Sequence, residues 1–420
     1  MAPRPPDVRI DDLADPRFPP EVDEIRAAMA TMGADLRLEP DELLSAAAGQ
    51  TGLDDFGDEG FRERLTVLCS ALRTEAGLSP AGVTSAWSQL VQLLKNRLLV
   101  EDLLKRHPEI HDVRIDRPIV IAGLPRTGTT HLHNLMSVDP ALRSLPYWES
   151  LEPVLADHER PPPGQPDPRV ARTEHALGVL NTALPYFCRM HEMTAGHVHE
   201  EIQLLALDVS TMLFETMAPM PTWRDFYKAT DQTPTYRYLE SVLRVLQWQR
   251  GGVRWVLKSP QHLEQFRPLI SVFPDATVVV THRDPVSITA SFATMVSYSS
   301  RLSHARVDPQ QIGRYWADRV EDMLRACVDH REVLPPERSL DVRFDEFMSD
   351  DVAMVESIYA LAGQPMTRGG RAAMDAFMAA HPRGRHGGVI YDLADFGLDR
   401  DERREALQFY VERFGVREEA

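Results

Sequence analysis

Residues 118–136 read PIVIAGLPRTGTTHLHNLM, and no other stretch limits the fold of this chain so tightly. Ile119, Val120 and Ile121 form a short β-branched run, the mark of a buried strand, and HLHNLMSV beyond it has helical spacing. The turn between them is GLPRTGTT. A loop at a strand–helix junction converges several backbone N–H groups on one point, and the helix N-terminus adds partial positive charge. Gly123 and Gly128 supply the backbone freedom that such an anion nest needs. Arg126 offers a charged planar fork, and Thr127, Thr129 and Thr130 offer hydroxyls. The loop departs from the nucleotide triphosphatase pattern G-x-x-x-x-G-K-[ST]: Gly123, Gly128 and Thr130 fall in place, but Thr129 stands where the lysine must be. The expectation is an anion site without ATP or GTP chemistry.

Three more strand signals follow, RWVLKS (254–259), ATVVVTHR (276–283) and SLDVRF (339–344), each leading into a helical pattern. Such alternation predicts an α/β, P-loop-like three-layer fold with a central parallel sheet flanked by helices. Residues 1–20, rich in Pro and Asp, read as an extended arm, and residues 21–114 as a helical region. The α/β domain spans 115–420, with a helical insertion over about 169–250. Within the insertion, EEIQLLALDVSTMLFETM is the clearest amphipathic helix pattern.

A second strand–turn–helix pattern closes the third strand. Arg283 ends it, Pro285 suits a first helical turn, and Ser291 follows on the helix. Together with Pro125-Arg126-Thr127-Gly128-Thr129-Thr130, this resembles the sulfotransferases that use 3′-phosphoadenosine 5′-phosphosulfate (PAPS), in particular their bacterial small-molecule and polyketide-tailoring branch. The resemblance covers roughly residues 115–415 through scattered motifs. It implies that the first loop binds the 5′-phosphosulfate and that Arg283 and Ser291 clamp the 3′-phosphate. The late loop HPRGRHGG resembles the family's last basic loop, so that Gly384 and Gly387 shape it and Arg383 or Arg385 touches the 3′-phosphate. Pro382 departs from the family's usual Arg there. The implied product is 3′-phosphoadenosine 5′-phosphate (PAP).

Sulfuryl transfer needs charge stabilised on the leaving oxygen, in-line placement, and a proton acceptor. Lys258, in Lys258-Ser259-Pro260, is similar to the family's strand-end lysine and is assigned the first task. Glu149, His262 and Glu201 are the candidate proton acceptors in that order, with Glu200 beside Glu201. The acceptor is expected to be a small-molecule hydroxyl: a hydrophobic alcohol, phenol, glycolipid or polyketide. Tyr186, Phe187, Phe214, Trp223, Phe226 and Tyr227 are candidates to line its pocket. A P-loop kinase and a non-catalytic module of the same fold are the alternatives; the missing lysine opposes the first, and Arg126, Lys258, Arg283 and Ser291 together oppose the second.

The 420 residues carry a formal net charge of −17, which disfavours nucleic acid and anionic membranes as partners. Apolar stretches fall short of the roughly 18 residues that a membrane span needs, and the first residues lack the apolar run of a signal peptide. Cys69, Cys188 and Cys327 fit no zinc pattern and leave an odd count for disulfides, so a cytoplasmic protein requiring no metal is expected.

Overall fold

The computed structural model describes residues 4–419; the first three residues of the extended arm lie outside it. Among the described residues, six strands form two parallel sheets. One pairs β1 (Val8–Arg9) with β6 (Val389–Ile390). The other joins β2 (Ile119–Ala122), β3 (Val256–Ser259), β4 (Thr277–His282) and β5 (Ser339–Arg343) in the order β3-β2-β4-β5. Every residue of β2, β3 and β4 is buried, which is why these runs are apolar throughout rather than alternating. The two-residue period still sorts them. Ile119, Ile121 and Val279 pack on Leu132 and Leu135 of the helix Thr129–Ser137, while Val120, Ala122 and Leu257 face the larger core on the other side.

That larger core also takes in the N-terminal helices Pro20–Met32, Pro40–Thr51, Phe61–Thr74 and Pro80–Arg106, through side chains such as Leu43, Phe61, Leu65 and Leu90. Three of these helices open on a proline, whose missing N–H costs nothing in a first turn. The arm before them is pinned by β1 and by buried Ile10 and Leu13. No helix among the described residues is long and apolar enough to cross a membrane.

The stretch Glu200–Met217 departs from the single helix its spacing predicts. It holds a short helix, Ile202–Leu205, then 3₁₀ turns at Ala206–Asp208 and Met212–Thr216. Val209 between them has φ 49°, a left-handed conformation that no helix contains. The cause is polar. Asp208 is buried, and its carboxylate meets Arg64 at 2.7 Å, Arg97 at 3.0 Å and the Thr235 hydroxyl at 2.6 Å. Arg64 and Arg97 belong to two N-terminal helices and Thr235 opens the helix Thr233–Arg250, so one carboxylate ties three elements together. Asp208→Ala strands two guanidiniums in the core. It should lower the unfolding free energy by about 3–5 kcal/mol in urea titrations, whereas a loss under about 1 kcal/mol would mean that the arginines find other partners.

Candidate functional site

Parallel strands send their following loops to one edge, and here the loops after β2, β3 and β4 border a cleft of about 1080 Å³. Its floor is the turn after β2. Gly128, at φ 88°, takes the N-cap position of the helix Thr129–Ser137, where no side chain caps the first-turn N–H groups. Gly128, Thr129, Thr130 and His131 line the cleft, so these N–H groups stand at its wall with no intrahelical partner. Pro125 and Arg126 line it too. Arg126 has φ 75°, costly for a residue with a side chain. It is held there by its Nη1, which donates to the Met190 carbonyl at 2.7 Å, and by Arg283 Nη1, which donates to the Arg126 carbonyl at 2.8 Å. The Arg126 Nε is buried without a partner. Thr127 differs from the expectation: its hydroxyl turns inward to the Leu124 carbonyl and the Thr281 hydroxyl, both at 2.7 Å, and closes the turn.

Arg283, just past β4, faces both this cleft and an adjoining hollow of about 320 Å³. Its Nε and Nη2 grip the Glu419 carboxylate at 2.5 and 2.7 Å, and its guanidinium lies 4.2 Å from the centre of the Phe344 ring. Ser291 is buried on the helix Pro285–Ser300, makes no side-chain hydrogen bond to a described residue, and does not form the cleft wall. Across the cleft stands the late loop. Gly384 and Gly387 take φ 70° and 74°, and Arg383 pairs with Asp351 and Arg385 with Glu192.

Lys258 leaves β3 buried, and its ammonium pairs with the carboxylate of Glu200, which lines the cleft. The three candidate proton acceptors are placed otherwise than expected. Glu149 is sealed between Arg143 at 2.6 Å and Arg250 at 3.0 Å. His262 is wholly buried, with Nε2 on Glu201 at 2.5 Å and Nδ1 on the Tyr236 hydroxyl at 2.7 Å. Glu201 is buried beneath the wall, accepting the Lys258 N–H at 2.8 Å and held by His262. Each is a structural partner with no oxygen or nitrogen toward the cleft. Of the candidate aromatic residues, Phe214, Trp223 and Tyr227 are core, Phe226 packs against them, and Tyr186 is outside the cleft; Phe187 alone lines it. The apolar wall comes from elsewhere, including Leu78, Ala86, Ile202, Met212, Leu213 and Met295. The sequence reading also passed over His191, His197 and His199, which gather at the cleft wall beside Lys258.

A parallel sheet with an uncapped phosphate-type loop, a strand-end arginine and a buried strand-end lysine defines a P-loop-like group-transfer fold. The comparisons with known proteins narrow this. The sulfotransferase family profile matches residues 118–368, more than half of the chain, and the chain belongs to that family. Two curated relatives, the omega-hydroxy-beta-dihydromenaquinone-9 sulfotransferases of Mycobacterium bovis and Mycobacterium tuberculosis, are 22% identical over 272 residues, or 59% of this chain. The matched stretch spans 63% of their own length. Among solved structures, sulfotransferase STF1 of Mycobacterium tuberculosis is 31% identical with a TM-score of 0.77, covering 87% of this chain and 97% of that one. STF9 of Mycobacterium avium is 26% identical with a TM-score of 0.81, covering 91% and 98%.

On the inner face of the phosphate-loop helix, His133 is buried with Nε2 near the Val256 carbonyl at 3.3 Å and Nδ1 unpartnered. Burial first, and the Lys258 ammonium second, hold its pKa down at about 3. A neutral folded imidazole that charges on unfolding contributes stability fully present above its unfolded pKa of about 6.5 and lost as pH falls toward 3. His133→Phe should therefore flatten the decline of unfolding free energy between about pH 6.5 and 4 by up to about 1.4 kcal/mol per pH unit. An unchanged slope would contradict the neutral imidazole.

Proposed function

We propose that this protein transfers a sulfuryl group from PAPS to the hydroxyl of an apolar small molecule. The observation that carries the reading is the pairing of two anion-holding groups on neighbouring strands: the uncapped N–H groups and Arg126 after β2, and Arg283 after β4, joined by the 2.8 Å bond from Arg283 to the Arg126 carbonyl. The residues present fit a nucleotide with phosphate at both ends. The orphaned Arg126 Nε and the bare first turn fit the 5′ end, and the Arg283 fork, already gripping a carboxylate in two-pronged fashion, fits the 3′-phosphate. Ser291 and the late-loop residues Arg383 and Arg385 belong to the same 3′ region in this reading.

When bound, PAPS supplies an activated sulfuryl group whose departure leaves charge on the 5′-phosphate. Lys258 faces that charge with a buried ammonium, stronger there than in water. Glu200 replaces Glu149, His262 and Glu201 as the proposed proton acceptor: one carboxylate oxygen holds Lys258, and the residue lines the cleft where an acceptor hydroxyl would lie. The apolar wall supports an acceptor whose hydroxyl sits on a hydrocarbon chain, and the curated relatives are named for omega-hydroxy-beta-dihydromenaquinone-9. The cysteines stand apart as thiols, the state a reducing compartment maintains, and the reading places the protein in the cytoplasm.

The test is transfer of labelled sulfate from PAPS to straight-chain primary alcohols. Transfer should occur and rise with chain length. Glu200→Gln should lower kcat by about 10²–10⁴, and Lys258→Ala by about 10²–10³, with nucleotide affinity little changed. Absence of transfer to alcohols and phenols alike, or unimpaired variants, would sink the reading. Glu419→Ala frees the Arg283 fork and should tighten PAP binding several-fold; weaker binding would place Glu419 among the groups that support the site.

A further inference from the structure

The chain turns at Ala195–Gly196 and then runs His197–His199 against residues 145–148, with Val198 bridged antiparallel to Pro146. Tyr147 N–H donates to the His197 carbonyl at 3.0 Å, His199 N–H to the Leu145 carbonyl at 2.7 Å, and Trp148 N–H to the Ala195 carbonyl at 3.1 Å. In extended chain, residues two apart share a face, so His197 and His199 project together, and the Tyr147 ring packs on both. His191 arrives from the separate turn Phe187–Met190 and completes a cluster in which one ring nitrogen from each histidine lies within 4.8 Å of the others.

The hydrogen bonds around these rings allow them to act as ligands. His197 Nδ1 lies 2.5 Å from the Thr194 carbonyl and 3.1 Å from the Thr194 N–H, so one tautomer donates to the carbonyl and the other accepts from the N–H. In the tautomer that donates to the nearer carbonyl, Nε2 is a bare lone pair, and it faces His199 Nδ1 at 3.2 Å. Metal-binding histidines characteristically donate their far N–H to a backbone carbonyl in this manner. Two imidazole nitrogens on one tetrahedral ion, each at about 2.0–2.1 Å, stand roughly 3.3 Å apart. Neither ring nitrogen of His191 has a hydrogen-bond partner among the described residues. The ammonium of Lys258, whose charge reaches all three imidazoles, is paired with Glu200.

We propose that His191, His197 and His199 form a site for one divalent transition ion of the zinc class, with its fourth position open to the cleft. Three imidazoles and one open position select zinc or cobalt over magnesium or calcium, which take oxygen ligands. All three histidines line the same cleft as Glu200, so a water or substrate oxygen can reach the fourth position. The proposal stands on these residues and does not depend on the sulfuryl-transfer reading.

The test titrates metal-stripped full-length protein with zinc chloride by calorimetry, and with cobalt chloride by visible absorption. One equivalent of zinc should bind, and cobalt should give the intense bands of tetrahedral coordination. His191→Ala and His199→Gln should each weaken zinc binding by more than about tenfold and abolish those bands, while far-UV circular dichroism and an unchanged cooperative thermal unfolding transition report an intact fold. Absence of stoichiometric binding in the wild type would overturn the site. So would equal binding by folded variants, which would assign the metal to other histidines and leave the 3.2 Å contact a plain hydrogen bond.

Discussion

The packing of the turn after β2 onto the end of β4 is the contact from which the rest of the cleft follows. Gly123 sits so close to Thr281 that a β-carbon there would fall 1.9 Å from the Thr281 hydroxyl. The Thr127 hydroxyl binds that same Thr281 oxygen, locking the turn to its neighbouring strand. Two residues beyond Thr281, Arg283 reaches back to the Arg126 carbonyl. One glycine and one threonine pair therefore set the spacing between the loops, after adjacent parallel strands, that carry Arg126 and Arg283. A nucleotide with phosphates at both ends needs such a spacing, held before it arrives.

The chain is strongly acidic overall, yet its cleft is built from cations that already have partners. Arg126 rests on a carbonyl, Arg283 on Glu419, and Lys258 on Glu200. Buried charges without partners would cost several kcal/mol each. At Arg283 an incoming anion then exchanges with a carboxylate instead of meeting bare charge. The arrangement also keeps the donors aimed, which is what stabilising a developing charge requires.

Much of the fold is legible along the sequence because a buried parallel strand is a local signal: β2, β3, β4 and β5 each lie inside a stretch that the apolar pattern marks. The phosphate-type loop is legible for the same reason, its meaning set by the strand before it and the helix after it. What escapes is what long-range pairing decides. Glu149 faces Arg143 and Arg250, and His262 faces Glu201 and Tyr236, contacts that spacing does not reveal. The same pairing breaks the helix pattern of residues 200–217, where Asp208 gives up helical geometry for two arginines. Glu200 and Glu201 are neighbours of equal chemistry, and only the fold turns one to the cleft and the other inward. The histidine pair His197 and His199 is visible as an alternating motif, but its third member joins through tertiary structure.

The central claim is that one nucleotide is held by its two phosphate ends between the loop after β2 and Arg283. Calorimetric titration compares adenosine 3′,5′-bisphosphate with adenosine 5′-phosphate, on the wild type and on Arg283→Ala. The bisphosphate should bind more than about tenfold tighter than the monophosphate, and that advantage should vanish in the variant. Equal affinity for the two nucleotides, or an advantage that survives the loss of Arg283, would contradict it.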